Sequence, residues 1–227
     1  MSGRAEQPLT RHDPASAHSL AGSVAGLAAI VLTVVLLVSV AWQYARQRIT
    51  ANETGRTLAE ISTVLPASLY DNQPHLDSVL LDTGGGRLLP VYRARWNGAP
   101  VGAALTIIAP GGFVGPIRLL VGIGADGRVL GVRVAAHNET PGIGDAIEPG
   151  KSAWLHTFYG RSLGDPPALL WNVREDSGEF DAIAGATVSS RAVVGGVRRA
   201  VQYFATHHDE IFAPLGDEAR NGMDSPP

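Results

Sequence analysis

The hydroxyl of Thr187 lies in a segment whose residue types suit the binding of a phosphate. Gly185 and Ala186, two of the smallest residues, come directly before it. Apolar residues then recur at helical spacing, at Val193, Val197, Val201 and Phe204. We therefore predict a tight turn that opens an amphipathic helix, whose free N–H groups and dipole attract a phosphate. The hydroxyls of Thr187, Ser189 and Ser190 also suit an ordinary helix N-cap, so the pattern leaves both interpretations open.

A second polar stretch covers residues 137–144 and follows an apolar run with period-2 alternation. We expect it to form a loop at the end of a strand, with Pro141 and Gly142 restricting its path. A surface turn explains the same residues, and Asn138-Glu139-Thr140 also forms a glycosylation sequon. The loop alone therefore does not indicate one function.

The composition excludes several kinds of site. The chain has no cysteine, so it forms no disulfide, thiolate metal site or iron–sulfur cluster of its own. Its 18 Lys and Arg residues are scattered, and we expect no nucleic-acid binding. No P-loop, zinc-protease or serine-hydrolase motif is present, and we predict no metal site. His137 and His156 have no acidic or histidine partner nearby in the sequence.

Residues 122–127 spell the dinucleotide-binding pattern G-x-G-x-x-G. That pattern requires a helix after it, whereas a period-2 strand follows here, so we reject a dinucleotide site. Asp126-Gly127 instead predicts a hairpin between strands at 117–122 and 128–135. In the second of these strands we expect one face to carry Leu130, Val132 and Val134.

Residues 20–42 contain no charged side chain and are dominated by Ala, Val and Leu. At about 1.5 Å per residue they are long enough to cross a bilayer, with Trp42 and Tyr44 as interface anchors. A cleaved signal peptide is the alternative, but its apolar region is shorter. We predict a retained transmembrane helix after a polar tail at 1–19. Arginines flank the span equally, so charge does not set its orientation.

The rest of the chain is expected to form a helical stalk at 43–75, one folded domain at 76–212 and a disordered tail at 213–227. Short strand-like runs begin the domain. Further along we predict a short helix at 151–158 and a short strand at 169–173 whose Trp171 covers the core. The predicted helix that follows Thr187 extends to about His207.

The segment around Thr187 resembles the flavinylation motif of the FMN-binding family, D-x-x-[ST]-G-A-[ST]-x-[ST]. Asp181, Gly185-Ala186-Thr187 and Ser189 carry the match, and Ala184 stands where the motif has Ser or Thr. The resemblance implies that Thr187 carries FMN through a phosphoester bond.

The stretch 137–145 is similar to the H-x-E-T-P-G-[LI]-G-D loop of the G subunits of the Rnf electron-transport complex, called Rsx in some bacteria. The resemblance implies that the loop lies against the isoalloxazine ring. Glu139 and Thr140 would then lie near the polar edge of the ring. Pro141, Gly142 and Ile143 would form the rest of the loop wall, with Pro141 and Ile143 as its apolar part.

This family, which is related to the C subunit of the sodium-pumping NADH:quinone oxidoreductase, implies an α+β fold. One N-terminal transmembrane helix would precede an FMN-binding domain of antiparallel sheet flanked by helices. The N-terminus would be cytoplasmic and the domain periplasmic, at the bacterial inner membrane. The implied function is electron transfer in an ion-translocating complex linked to ferredoxin and NAD.

The resemblance also implies the partners of the chain. These are the other Rnf subunits, a flavin transferase that uses FAD and Mg²⁺ for maturation, and membrane lipid. Two other functions remain open from the residues: a cofactor-free membrane-anchored assembly subunit, and a stand-alone flavoprotein regulator or reductase.

Overall fold

The computed structural model describes residues 14–83, 86–148 and 150–213, with the side chains of 14–25 and 45–54 outside the description. The chain divides into two compact units, 1–53 and 54–227. The predicted tails at 1–19 and 213–227 lie mostly outside the described residues. Where the first is described, the chain is already helical from Pro14.

The first unit contains most of the helix α1, Pro14–Val64. Within it, Gly26–Tyr44 is long and apolar enough to cross a membrane, with a mean hydropathy of 2.2 over 19 residues. Its side chains are exposed throughout. This segment overlaps the predicted span at 20–42. Its length and composition are those of a transmembrane helix.

The end of α1 belongs to the second unit. Ile61, Val64 and Leu65 are buried against one face of the sheet. A Cβ at Gly122 would lie 2.0 Å from the Val64 carbonyl oxygen, so the glycine permits this close contact. The helix ends two residues before Pro66, which cannot continue it. The second unit begins at residue 54, so it includes the later part of the predicted stalk at 43–75.

Five antiparallel strands form one sheet in the order β1-β2-β3-β4-β5. The strands are β1 Ser78–Asp82, β2 Leu88–Trp96, β3 Ala99–Ala109, β4 Ile117–Gly124 and β5 Val129–Ala136. Each connection joins neighbouring strands, and the hairpin predicted at Asp126-Gly127 joins β4 to β5. A strand follows the G-x-G-x-x-G pattern, and the dinucleotide helix is absent at these described residues.

The prediction for one face of β5 is wrong at Leu130. Val132 and Val134 belong to the main core, whereas Leu130 packs against the cluster at the end of α1. The pairing shifts between Gly122 and Ile123, so that Ile123 pairs with Val129. This bulge adds one residue to β5 and reverses the face on which Leu130 lies.

Two helices follow the sheet, α2 Thr187–Thr206 and α3 His208–Phe212. The predicted apolar stripe of α2 is buried in the main core, at Val193, Val197, Val201 and Phe204. Because α2 packs across β3 and β4, its first turn is held at a fixed position over the sheet.

Short 3₁₀ segments connect β5 to α2, at Gly144–Ile147, Trp154–Phe158, Ala168–Leu170 and Arg174–Asp176. The predicted strand at 169–173 is therefore wrong, since only a single bridge pairs Val173 with Phe180. Trp171 nevertheless covers the core as predicted. Its ring is fully buried, 5.1 Å from that of Phe180 and 6.4 Å from that of Phe158.

Candidate functional site

The two segments singled out in the sequence meet at a cavity of about 320 Å³. This volume lies at the lower end of the range for small-molecule sites, about 300–1,000 Å³. The cavity lining includes seven of the predicted site residues: Glu139, Thr140, Ile143, Gly185, Ala186, Thr187 and Ser189. Two segments 42 positions apart in the sequence (143 to 185) are thus brought together.

The turn before α2 forms one wall of this cavity. Gly185 has a φ of +79°, which glycine adopts without strain. Ala186 is the N-cap residue, and no side chain caps the helix. The first turn, which starts at Thr187, therefore has no side-chain acceptor for its free N–H groups. Together with the dipole of a 20-residue helix, these groups favour an anion at this end.

The serine hydroxyls that we considered as helix caps have other partners. Ser190 Oγ accepts a hydrogen bond from the backbone N–H of Ile183 at 3.0 Å, which holds the turn against the helix. Ser189 Oγ donates to the Glu139 carboxylate. The ordinary N-cap interpretation is therefore wrong for this helix.

Glu139 is the central polar residue of the site and is only 4% exposed. Its carboxylate accepts hydrogen bonds from the Ser189 hydroxyl and from the backbone N–H groups of Phe113 and Val114, the latter two at 3.2 and 3.1 Å. Three donors compensate its burial. Glu139 thus joins the loop before β4, the loop after β5 and the first turn of α2.

Two glycines allow the chain to approach Glu139 closely. A Cβ at Gly112 would lie 2.7 Å from Glu139 Oε1, and a Cβ at Gly144 would lie 2.8 Å from the Glu139 Cβ. Both distances are far shorter than van der Waals contact. The packing around the carboxylate therefore depends on residues without side chains at these two positions.

Hydrogen bonds and ion pairs among polar and charged residues hold the loop after β5. His137 Nδ1 accepts from the Glu139 N–H at 3.1 Å, and its Nε2 lies 3.0 Å from Glu148 Oε1. His137 therefore has an acidic partner, contrary to our expectation from the sequence. Lys151 Nζ contacts Asp145 at 2.5 Å and Glu148 at 3.1 Å. Hydrogen bonding from Lys151 lowers the pKa of both carboxyl groups.

Three predicted site residues do not line the cavity. Pro141 and Gly142 form the turn that presents Ile143, whose N–H bonds to the Thr140 carbonyl at 3.2 Å. Asp181 is exposed and pairs with Arg174 at 2.9 Å.

The backbone of Asp181 is also held. Its carbonyl accepts a hydrogen bond from the Trp154 indole at 2.6 Å. These contacts hold the segment that leads into the Gly185 turn from outside the cavity.

Phe113, Gly144 and Val188 line the cavity and were missed in the sequence. Phe113 is 72% exposed although it is a large apolar residue. The available signal was a large aromatic residue within a glycine-rich loop, directly after Gly111-Gly112. Val188 follows Thr187 on α2. Whether it lines the cavity depends on the orientation of the first helical turn, which the sequence does not give.

The FMN-binding domain family matches the chain over residues 112–202. Three relatives are each named as the G subunit of an ion-translocating oxidoreductase complex. The one from Pseudomonas aeruginosa is 44% identical over 211 residues, which cover 89% of this chain and 96% of the relative. Those from Cereibacter sphaeroides and Shewanella oneidensis are 42% and 40% identical, over 86% of this chain and 88% and 94% of the relatives.

Proposed function

We propose that this chain, which belongs to the family of G subunits of ion-translocating oxidoreductase complexes, is an electron-transfer subunit with FMN bound covalently to Thr187. One observation carries the proposal. Every residue that lines the candidate site falls within the matched FMN-binding domain, residues 112–202. The cavity geometry and the sequence similarity therefore support the same region of the chain.

The residues present fit an FMN group. The uncapped first turn of α2 offers N–H groups to a phosphate, and Thr187 is the first residue of that turn. Phe113, Ile143 and Val188 offer apolar surface to a flat ring. When bound, FMN supplies electron uptake and release in single steps, whereas the cysteine-free chain has no thiol or iron–sulfur centre of its own.

Attachment requires the Thr187 oxygen to attack the FMN phosphorus of FAD. The pyrophosphate bond breaks, AMP leaves, and the hydroxyl proton is released, so one phosphoester replaces one phosphoanhydride. Thr187 is partly exposed, and Gly185 and Ala186 add little bulk beside it. A flavin transferase with Mg²⁺ is therefore the proposed maturation partner, since the chain has no nucleotide-activating motif of its own.

The remaining parts of the proposal concern location and partners. The apolar segment Gly26–Tyr44 supports a single membrane anchor in the bacterial inner membrane, in contact with lipid. We propose that the domain lies on the periplasmic side and that other subunits of the complex supply and remove its electrons. The complex as a whole would link ferredoxin and NAD to ion movement.

The test is covalent flavin in threonine variants of the full chain, co-expressed with a flavin transferase. Wild-type protein should fluoresce as a flavoprotein on a denaturing gel, and Thr187→Ala should not. Thr206→Ala is the matched control, because Thr206 lies at the other end of the same helix and bonds only to helix carbonyls and His207.

Thr187→Ser should retain part of the signal because it keeps a hydroxyl at the same position. Fluorescence in Thr187→Ala equal to that of wild type would show that another residue carries the flavin.

A further inference from the structure

A second cavity, of about 540 Å³, lies at the edge strand β5 and differs in character from the candidate flavin site. It shares no lining residue with that site. Leu130, Val132 and Leu155 are its apolar lining side chains, and the first two lie on opposite faces of β5, so the cavity spans the edge of the sheet. The cavity is thus large enough for a second small molecule with an apolar part.

Arg133 supplies the charge in this cavity. Its Nε is buried without a hydrogen-bond partner, and no carboxylate of the described residues forms an ion pair with it. A buried guanidinium nitrogen without a partner is costly, and most buried polar groups are satisfied. Arginine is also the side chain that best matches carboxylate and phosphate oxygens. The unpaired charge therefore indicates a site for an anion.

The other polar groups of the cavity agree with an anionic ligand. His156 and Tyr159 line it, and both side chains are exposed donors without a hydrogen bond to another described residue. The residues that line it include no Asp or Glu. Arg133 also lines a neighbouring cavity of about 410 Å³, but Glu148 lines that cavity too, and its charge would repel an anion. Of the two cavities that Arg133 lines, the 540 Å³ cavity is thus the better site for an anion.

We propose that the cavity beside β5 binds an amphiphilic anion, with one phosphate or carboxylate group on Arg133 and an apolar part against Leu130, Val132 and Leu155. Two sources share this chemistry: the headgroup region of an anionic lipid, and a soluble phosphomonoester or carboxylic acid. The proposal is independent of the flavin assignment, because it concerns other residues on another strand.

The test is calorimetric titration of the full chain, in neutral maltoside micelles, with octyl phosphate. We expect saturable binding with one site. Octanol lacks the charge and inorganic phosphate lacks the alkyl group. Each should bind with an affinity at least roughly tenfold lower than that of octyl phosphate. Binding of octanol equal to that of octyl phosphate would overturn the proposal.

Arg133→Met removes the charge and keeps most of the side-chain length. It should weaken octyl phosphate binding roughly tenfold or more. Arg118→Met is the matched control, because Arg118 is an exposed arginine on the neighbouring strand β4 and does not line this cavity. Tyr159→Ala, at an exposed position, should also weaken binding. Unchanged affinity in Arg133→Met would contradict the proposal.

The thermal stability of Arg133→Met separates a binding role from a structural one. Because the charge has no partner in the fold, its removal should leave the Tm unchanged or raise it. A Tm several degrees lower would assign Arg133 to the fold and overturn the proposal.

Nanodiscs distinguish the two sources. If a lipid headgroup occupies the site, phosphatidylglycerol nanodiscs should weaken octyl phosphate binding relative to phosphatidylcholine nanodiscs. Equal affinity in both would indicate a soluble amphiphile, with Arg133 still the binding residue.

Discussion

At the residue scale, Glu139 explains how distant segments form one site. Its carboxylate joins Phe113 and Val114 on one loop to Ser189 on α2. Ser189 lies 50 positions after Glu139 in the sequence. Such a network is stabilising only when every member is satisfied. Glu139 therefore acts as a positioning residue that sets the distance between the apolar wall and the Thr187 hydroxyl.

Glu139→Gln should destabilise the domain and reduce flavin loading. Each carboxylate oxygen accepts from a backbone N–H group, Oε1 from Val114 and Oε2 from Phe113. The amide NH₂ would therefore leave one of these N–H groups without its acceptor, at a cost of about 1–3 kcal/mol. Urea unfolding followed by tryptophan fluorescence measures the stability, and denaturing-gel fluorescence measures the loading. Glu175→Gln, at an exposed position, is the control and should change stability by less than about 0.5 kcal/mol. Equal stability and equal flavin loading in Glu139→Gln and Glu175→Gln would show that Glu139 does not position the site.

The ion pairs of Lys151 should make the loop after β5 sensitive to acid. Lys151 lowers the pKa of Asp145 below its usual 3.8 and that of Glu148 below 4.5. A depressed carboxyl pKa stabilises the fold above the usual value, and this stabilisation is lost as the pH falls through the lowered pKa. The pKa of Lys151 is raised above 10.5, so its contribution is lost only at higher pH.

The measurement is the Tm of wild type and of Lys151→Met as a function of pH. The difference between them should be constant over roughly pH 5 to 9 and should shrink below about pH 4. Arg87→Met, at an exposed position, should show a difference that does not depend on pH in this range. A Lys151 effect that persists undiminished at pH 2 to 3 would rule out the ion pairs as its cause.

At the element scale, α2 determines where Thr187 lies, because the helix is packed closely on the sheet. A Cβ at Gly196 would lie 2.6 Å from Leu119 Cδ1 and 2.9 Å from Ala109 Cβ. The helix therefore approaches β3 and β4 more closely than any side chain at this position would allow. The adjacent Gly195 faces open space.

Gly196→Ala should destabilise the domain by about 1–3 kcal/mol, since the added methyl must displace α2 or the sheet. Gly195→Ala should instead be neutral or stabilise by up to about 1 kcal/mol, because alanine is the better helix former. Chemical unfolding measures the free energy of unfolding of both variants, whose substitutions lie in the same helix turn. Equal effects would show that the close approach of α2 is not required.

The sequence predicted these elements where the signal was local. Residue spacing identified the buried stripe of α2, and Asp126-Gly127 identified the β4–β5 hairpin. The bulge in β5 was missed because nothing in residues 128–135 distinguishes an inserted residue from regular alternation. The predicted strand at 169–173 is wrong because Leu169 and Leu170 are exposed, whereas Trp171 packs into an aromatic cluster and only Val173 forms a bridge, with Phe180.

At the scale of the whole molecule, the described residues include one apolar segment long enough to cross a membrane and one compact sheet domain. Motif resemblance singled out two segments, and both line the same cavity. It did not predict the hydrogen bonds that hold them, because Glu139 and Phe113 are joined only through the tertiary fold. Local pattern contains no information on such pairs.

The proposed orientation can be tested with single cysteines, because the natural chain has none. A membrane-impermeant maleimide should label Glu175→Cys in cells whose outer membrane has been made permeable. Ser16→Cys, before the apolar segment, should be labelled only after lysis. The cysteine-free parent chain is the control for background. The reverse pattern would place the domain in the cytoplasm.

The most direct test of the central claim is the mass of one tryptic peptide from the full chain, purified from cells with an active flavin transferase. Cleavage after Arg174 and Arg191 releases residues 175–191, which contain the whole motif. We predict a peptide heavier by one FMN less one water, with fragmentation that assigns the addition to Thr187. An unmodified peptide, or the same addition on Ser177, Ser189 or Ser190, would contradict the account.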